Sequence, residues 1–139
     1  FRAIESVLYK LDNQLGKTII IVDIHGEATS EKMALGHYLD GKVSAVVGTH
    51  THVPTADPHL LEKGTFYQTD LGMCGDYNSV VGMDKTISLS RFLHKHKKSR
   101  FEPANGEATL CGIILKIDEM SLKVQSFKQI KIGGIIGNK

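Results

Sequence analysis

Apolar residues recur at helical spacing at the start of the chain: Ile4, Val7, Leu8, Leu11 and Leu15. That spacing predicts an amphipathic helix, with Gly16 as its stop. The pattern then changes. From Thr18 to Ile24 the residues are almost all β-branched and apolar, which predicts a strand buried on both faces. "GEATSEKMALGHYLDG" returns to helical spacing. Thr29 or Ser30 can cap this second helix, and Glu31 suits its first turn. Ala34, Leu35, Tyr38 and Leu39 form the predicted inner face, and Gly41 ends it. A second apolar run, Val43 to Val47, predicts another buried strand. Residues 17–48 thus read as a β-α-β unit, the signature of an α/β sheet.

Further on, "HLLEKGTFYQTD" reads as a hairpin turning at Lys63-Gly64. "LGMCGDYNSVVGMD" has no period and reads as an irregular loop of the kind that carries function. Ile87, Leu89, Phe92 and Leu93 predict a helix from Lys85 to His96, followed by a basic, turn-rich connection. The end, "TLCGIILKIDEMSLKVQSFKQIKI", alternates in two runs and predicts an antiparallel hairpin turning near Glu119–Ser121. No linker or repeat interrupts the pattern, so residues 1–139 read as a single domain.

Composition adds limits rather than a function. The 139 residues are 41% hydrophobic and 23% charged, which suits one globular core. A net charge of +2 is too small to point to nucleic acid or a membrane surface. No apolar run is long enough for a membrane span, and no signal peptide is visible. The two cysteines, Cys74 and Cys111, are too few for a disulfide scaffold, and a reduced, cytoplasmic setting is expected. The chain opens on Phe1 and enters a helical pattern at once, so it reads as a fragment.

The candidate chemistry gathers at predicted strand ends. His25 follows the first strand, and His50 and His52 follow the second. Ligands of open α/β sheets collect at the carboxyl ends of strands. Residues i and i+2 of extended backbone point to one side, so His50 and His52 can serve one site. They could be metal ligands, a proton-transfer pair or surface histidines. Asp23 and Glu27 flank His25 and could orient its ring through the second nitrogen. Thr49 and Thr51 can hydrogen-bond phosphate or serve the fold. Asp70, Gly72 and Asn78 lie in the irregular loop, where a substrate-facing role competes with ordinary turn chemistry. Cys74 is a soft donor in the same loop. His37 and His59 read as ordinary. "RFLHKHKKSR", residues 91–100, carries His94, His96 and five Lys or Arg residues. It supports an alternative reading, a nucleotide- or RNA-binding module.

"VDIHGEATSEKMALGHYLDGKVSAVVGTHTHVPTAD", "TDLGMCGDYNSVVGM" and "RFEPANGEATLCGIILKID" together resemble the C-terminal half of the YmdB-like bacterial metallophosphoesterases, within the calcineurin-like phosphoesterase superfamily. The resemblance implies a four-layer α/β/β/α sandwich, incomplete here at its N-terminus. It implies two divalent ions (Fe, Mn or Zn) and phosphodiester substrates of the 2′,3′-cyclic nucleotide class. His25 matches the isolated metal-binding histidine, and His50 and His52 match the closing pair. By that match His25 and His50 share one metal, and His52 serves the other. The family's early motifs are absent: an aspartate, a Glu-Asn pair with the bridging carboxylate, and an Asn-His pair to which catalysis is ascribed. The catalytic histidine therefore lies outside this chain. Without a carboxylate bridge to hold the ions roughly 3.5–4 Å apart, the chain alone is expected to bind at most one metal, weakly, and to leave substrate unturned. Open strand edges predict self-association.

Overall fold

The computed structural model describes residues 1–93 and 100–138. The first segment forms helix α1 (Arg2–Leu15), strand β1 (Ile21–His25), helix α2 (Thr29–Leu39) and strand β2 (Ala45–Thr49). Strands β3 (His59–Leu60), β4 (Phe66–Gln68) and β5 (Gly75–Asp76) follow, then helix α3 (Lys85–Leu93). Two long strands, β6 (Ala108–Ile117) and β7 (Val124–Ile132), complete the order. His94, Lys95, His96, Lys97 and Lys98, the heart of the basic stretch, lie outside the described residues.

The β-α-β unit forms as the pattern predicts. β1 runs parallel to β2 with His25 opposite Thr49, and β2 runs parallel to β4. β3 returns antiparallel on β4, completing a four-stranded sheet ordered β1-β2-β4-β3. This is the predicted hairpin, and Gly64 takes its turn at φ +96°. A three-stranded antiparallel sheet, β5-β6-β7, forms separately. Its β6–β7 hairpin turns where Asp118 accepts hydrogen bonds from the Ser121 amide and hydroxyl.

The mixed α/β core has two parts. On the helix side of the first sheet, Leu39, Val43, Val46, Leu61 and Tyr67 are buried, joined by Ile4 and Leu8 of α1. Between the sheets lie Ala45, Val47, Phe66 and Val124, with Ile113, Leu115 and Ile117 of β6 against them. β2 is central, and its burial matches the expectation from Val43–Val47. β1 differs. Its residues alternate between half-buried and exposed, and Ile21 is 55% exposed. The reason is position: among the described residues β1 pairs only with β2, so it is an edge strand. Val22 and Ile24 pack toward the helices, while Ile21, Asp23 and His25 face outward.

Two helices also depart from expectation. α2 buries Lys32, Gly36 and Leu39, and Ala34 is exposed. Gly36 sets this rotation, because a Cβ there would meet Tyr67 Cδ2 at 2.5 Å. The bare Gly36 face therefore seats the Tyr67 ring. Neither Thr29 nor Ser30 caps α2; Ala28 precedes it without a side-chain bond, and its carbonyl receives the Glu31 and Lys32 amides. α3 buries Ser88 and leaves Leu89, Phe92 and Leu93 exposed.

Candidate metal centre

His25 ends β1, and Thr49 ends β2 directly beside it. The parallel register therefore brings His25 and His50 together, although they stand 25 positions apart in sequence. His25 Nε2 and His50 Nδ1 lie 3.2 Å apart. The rings stand edge to face at 81° with centroids 5.0 Å apart.

Hydrogen-bond partners fix which nitrogen of His25 is free. The Thr49 hydroxyl donates to Asp23 Oδ1 at 3.1 Å. A hydroxyl has one proton, so its oxygen can only accept from His25 Nδ1, also at 3.1 Å. Nδ1 carries the proton, and Nε2 presents a lone pair toward His50. The Asp23–Thr49–His25 chain is the kind of outer contact that orients a metal-binding imidazole. Asp23 acts through Thr49 rather than directly. Thr49, for which a phosphate contact and a structural role were both open, has its hydroxyl engaged in this relay. His52 turns elsewhere: its Nδ1 donates to the Val81 carbonyl at 2.8 Å, which leaves Nε2 as its free donor atom.

The imidazoles fit part of a metal shell. Two nitrogens bound to one tetrahedral ion at ~2.0–2.1 Å sit about 3.3 Å apart, close to the His25–His50 separation. Among the described residues no group of three or more His, Cys, Asp or Glu side chains converges on one point. The structure thus brings His25 and His50 together and leaves His52 apart, held by the loop that carries Val81.

The backbone of this site is strained. His50 has φ +127° and His52 φ +65°, conformations that L-residues rarely adopt. Beneath them is a pair of charges that sequence reasoning missed. Lys32 Nζ lies 3.2 Å from Asp70 Oδ2, with both side chains 1% exposed. The ammonium also donates to the Thr49 carbonyl at 2.8 Å and the Thr69 carbonyl at 3.2 Å. Asp70 accepts from the Thr51 amide at 2.8 Å and from the Gly72 amide at 2.9 Å. Burial works to raise the Asp70 pKa, but the donors from Thr51, Gly72 and Lys32 outweigh it and hold the carboxyl below its ordinary value. The sequence signal for Lys32 was its place on the stripe Lys32–Gly36–Leu39.

The loop residues divide. Asp70, for which a substrate-facing role competed with turn chemistry, is fully buried and fastens the loop. Gly72 has φ +86°, and a Cβ there would press on Pro54 and the Tyr77 hydroxyl. Thr51 donates from its hydroxyl to the Val53 carbonyl and lines an open groove of about 460 Å³ with Met33 and Val53. Asn78 is not brought to the histidines. It accepts from Lys85 Nζ at 3.0 Å, beside a separate recess lined by Asp76, Asp84 and Asn105. Cys74 Sγ donates to the Cys111 carbonyl at 3.6 Å.

The paired imidazoles thus stand at the carboxyl ends of adjacent parallel strands in a mixed α/β sheet. The chain belongs to the YmdB-like protein family, whose model matches residues 1–130. It is 50% identical over 113 residues to the 2′,3′-cyclic-nucleotide 2′-phosphodiesterase of Bacillus subtilis (strain 168), covering 81% of this chain and 42% of that protein. The crystal structure of a hypothetical protein from Thermus thermophilus superposes with a TM-score of 0.84 at 40% identity, over 96% of this chain and 50% of that one. That of a novel phosphatase from Mycoplasma pneumoniae also gives 0.84, at 35% identity over 95% and 46%. The chain therefore spans half or less of the length of these relatives.

Proposed function

We propose that this chain supplies the imidazole half of the metal centre of a phosphodiesterase acting on 2′,3′-cyclic nucleotides. The observation that carries the reading is the 3.2 Å approach of His25 Nε2 to His50 Nδ1 at adjacent strand ends. The named activity of the Bacillus subtilis relative supports the substrate class. His25 and His50 would hold one divalent ion and His52 a second, as Fe, Mn or Zn. When bound, such ions polarise a phosphoryl group and lower the pKa of a coordinated water.

The chain's own part is positional. Asp23 and Thr49 keep the His25 proton on Nδ1, so Nε2 remains a donor. Val81 does the same for His52 through its carbonyl. Thr51 and Gly72 form part of the wall near the histidines. Carboxylate ligands and a proton-transferring residue would come from the portion of the relatives that this chain does not span. Alone, it holds at most one ion, weakly, and does not turn substrate over.

The test compares this chain with a protein extended to the full length of its relatives. Metal content and Mn²⁺-dependent hydrolysis of 2′,3′-cyclic AMP are measured for both. Hydrolysis by the extended protein, lost in His50→Ala and absent from the 139-residue chain, is expected. An extended protein without metal-dependent hydrolysis, or one indifferent to His50→Ala, would overturn the reading.

A further inference from the structure

We propose that Lys32 and Asp70 are positioning residues for His50: the buried pair holds the peptide units on both sides of His50 so that its Nδ1 faces His25. The inference rests on the metal-binding reading of His25 and His50. The two contacts bracket a single residue. Lys32 Nζ holds the carbonyl of Thr49, which precedes His50, at 2.8 Å. Asp70 Oδ2 holds the amide of Thr51, which follows it, at 2.8 Å. Lys32 and Asp70 are themselves joined at 3.2 Å. One ion pair thus fixes both ends of a residue at φ +127°.

Each partner is anchored independently of the histidines. Lys32 lies on the buried face of α2 and also binds the Thr69 carbonyl. Asp70 is tied at its backbone: its amide donates to Thr55 Oγ1 at 2.9 Å, and its carbonyl receives the Thr55 amide at 3.0 Å. The bracket therefore transmits the position of α2 and of the β4 end to the His50 backbone. A buried ion pair gains little net stability over an apolar replacement of similar volume. Its consequence falls on geometry: without it, the Thr51 amide loses its carboxylate and the Thr49 carbonyl is left with the longer contact from the Gly26 amide at 3.4 Å, so the residue can relax from positive φ.

The test uses the double variant Lys32→Met/Asp70→Leu, which removes both charges together and leaves no unpaired ion. Co²⁺ is titrated into parent, double variant and His50→Ala, with visible absorption as the signal. Imidazole ¹⁵N–¹H spectra are recorded without metal. A folded double variant is expected to bind Co²⁺ about 10–100-fold more weakly, the usual range for loss of an orienting contact. It should also lose the signal pattern of His50 Nδ1–H against His25 Nε2. A folded double variant with parental Co²⁺ affinity and parental imidazole spectra would overturn the proposal. If the parent binds Co²⁺ indifferently to His50→Ala, the metal reading fails; in that case, and where the parent chain binds no Co²⁺, the metal-free spectra decide the positioning role. Should the double variant not fold, deuterium exchange of the parent decides. The Thr51 amide must exchange slowly, and rapid exchange of an unprotected-loop kind refutes the bracket.

Discussion

Gly48 sits where β2 and β4 part company below the histidines, and Gly48→Ala probes that contact. A Cβ at this position would lie 1.8 Å from the Thr69 carbonyl oxygen, 2.7 Å from its carbon and 3.0 Å from Lys32 Cδ. Contact distances in a packed interior are near ~3.5 Å, so the Thr69 carbonyl must retreat by more than an ångström. That carbonyl cannot swing aside freely. It receives Lys32 Nζ, and Thr69 is further held by Asp57 through its amide and hydroxyl. The Gly48 carbonyl also receives the Leu71 amide at 2.9 Å. Overpacking costs about 1–3 kcal/mol where side chains can yield; here the obstacle is backbone, and the upper end, ~3 kcal/mol, applies. For a domain of this size that lowers Tm by roughly 10–15 °C. Thermal unfolding followed by circular dichroism measures it, with Gly26→Ala as the control, since a Cβ there meets nothing within 4 Å. A Gly48→Ala protein melting within about 2 °C of the parent would show that β2 and β4 do not approach as described.

Acid should weaken the fold through Asp57 and Asp70. Donors hold both carboxyls below their ordinary pKa against the effect of burial. Their contribution is complete above the unfolded value of ~3.9 and fades as pH falls through the lower folded values. Urea midpoints should therefore drop below about pH 4, and less steeply in Asp57→Asn; an identical acid profile in that variant would contradict the assignment. The two thiols should differ in rate toward a disulfide reagent, with exposed Cys74 reacting at once and buried Cys111 only on unfolding. Simultaneous reaction of both in the folded protein would speak against that burial. Ile21 at the β1 edge and Leu110, Ile114 and Ile132 on the second sheet are exposed, so light scattering should show a mass rising with concentration. Ile21→Lys should shift it toward monomer; a concentration-independent monomeric parent would refute self-association.

Much of the architecture was legible because it follows from local pattern. The run around Val43–Val47, the Gly64 turn and the alternation of β6 and β7 each have one structural outcome, set by side-chain period and turn chemistry. Burial was harder to read. "TIIIVDI" has the composition of a covered strand, but cover depends on neighbours that the run itself does not encode. Likewise Lys32, outside the predicted inner face of Ala34, Leu35, Tyr38 and Leu39, is turned inward by the Gly36–Tyr67 contact.

The candidate site shows the same division. The sequence by itself determined that His25, His50 and His52 stand at strand ends, because strand boundaries follow from hydrophobic pattern. It determined the family as well, through short motifs dense in chemistry. Only the tertiary structure decided that His25 meets His50 while His52 turns to Val81, and that Thr49 relays Asp23 to His25. It alone placed Asp70 beneath the histidines with Lys32. Those outcomes depend on the register between β1 and β2 and on how α2 lies across the sheet. Register and helix rotation are settled by contacts between distant segments, such as Tyr67 on Gly36 and Thr69 against Gly48, and local spacing carries no record of them.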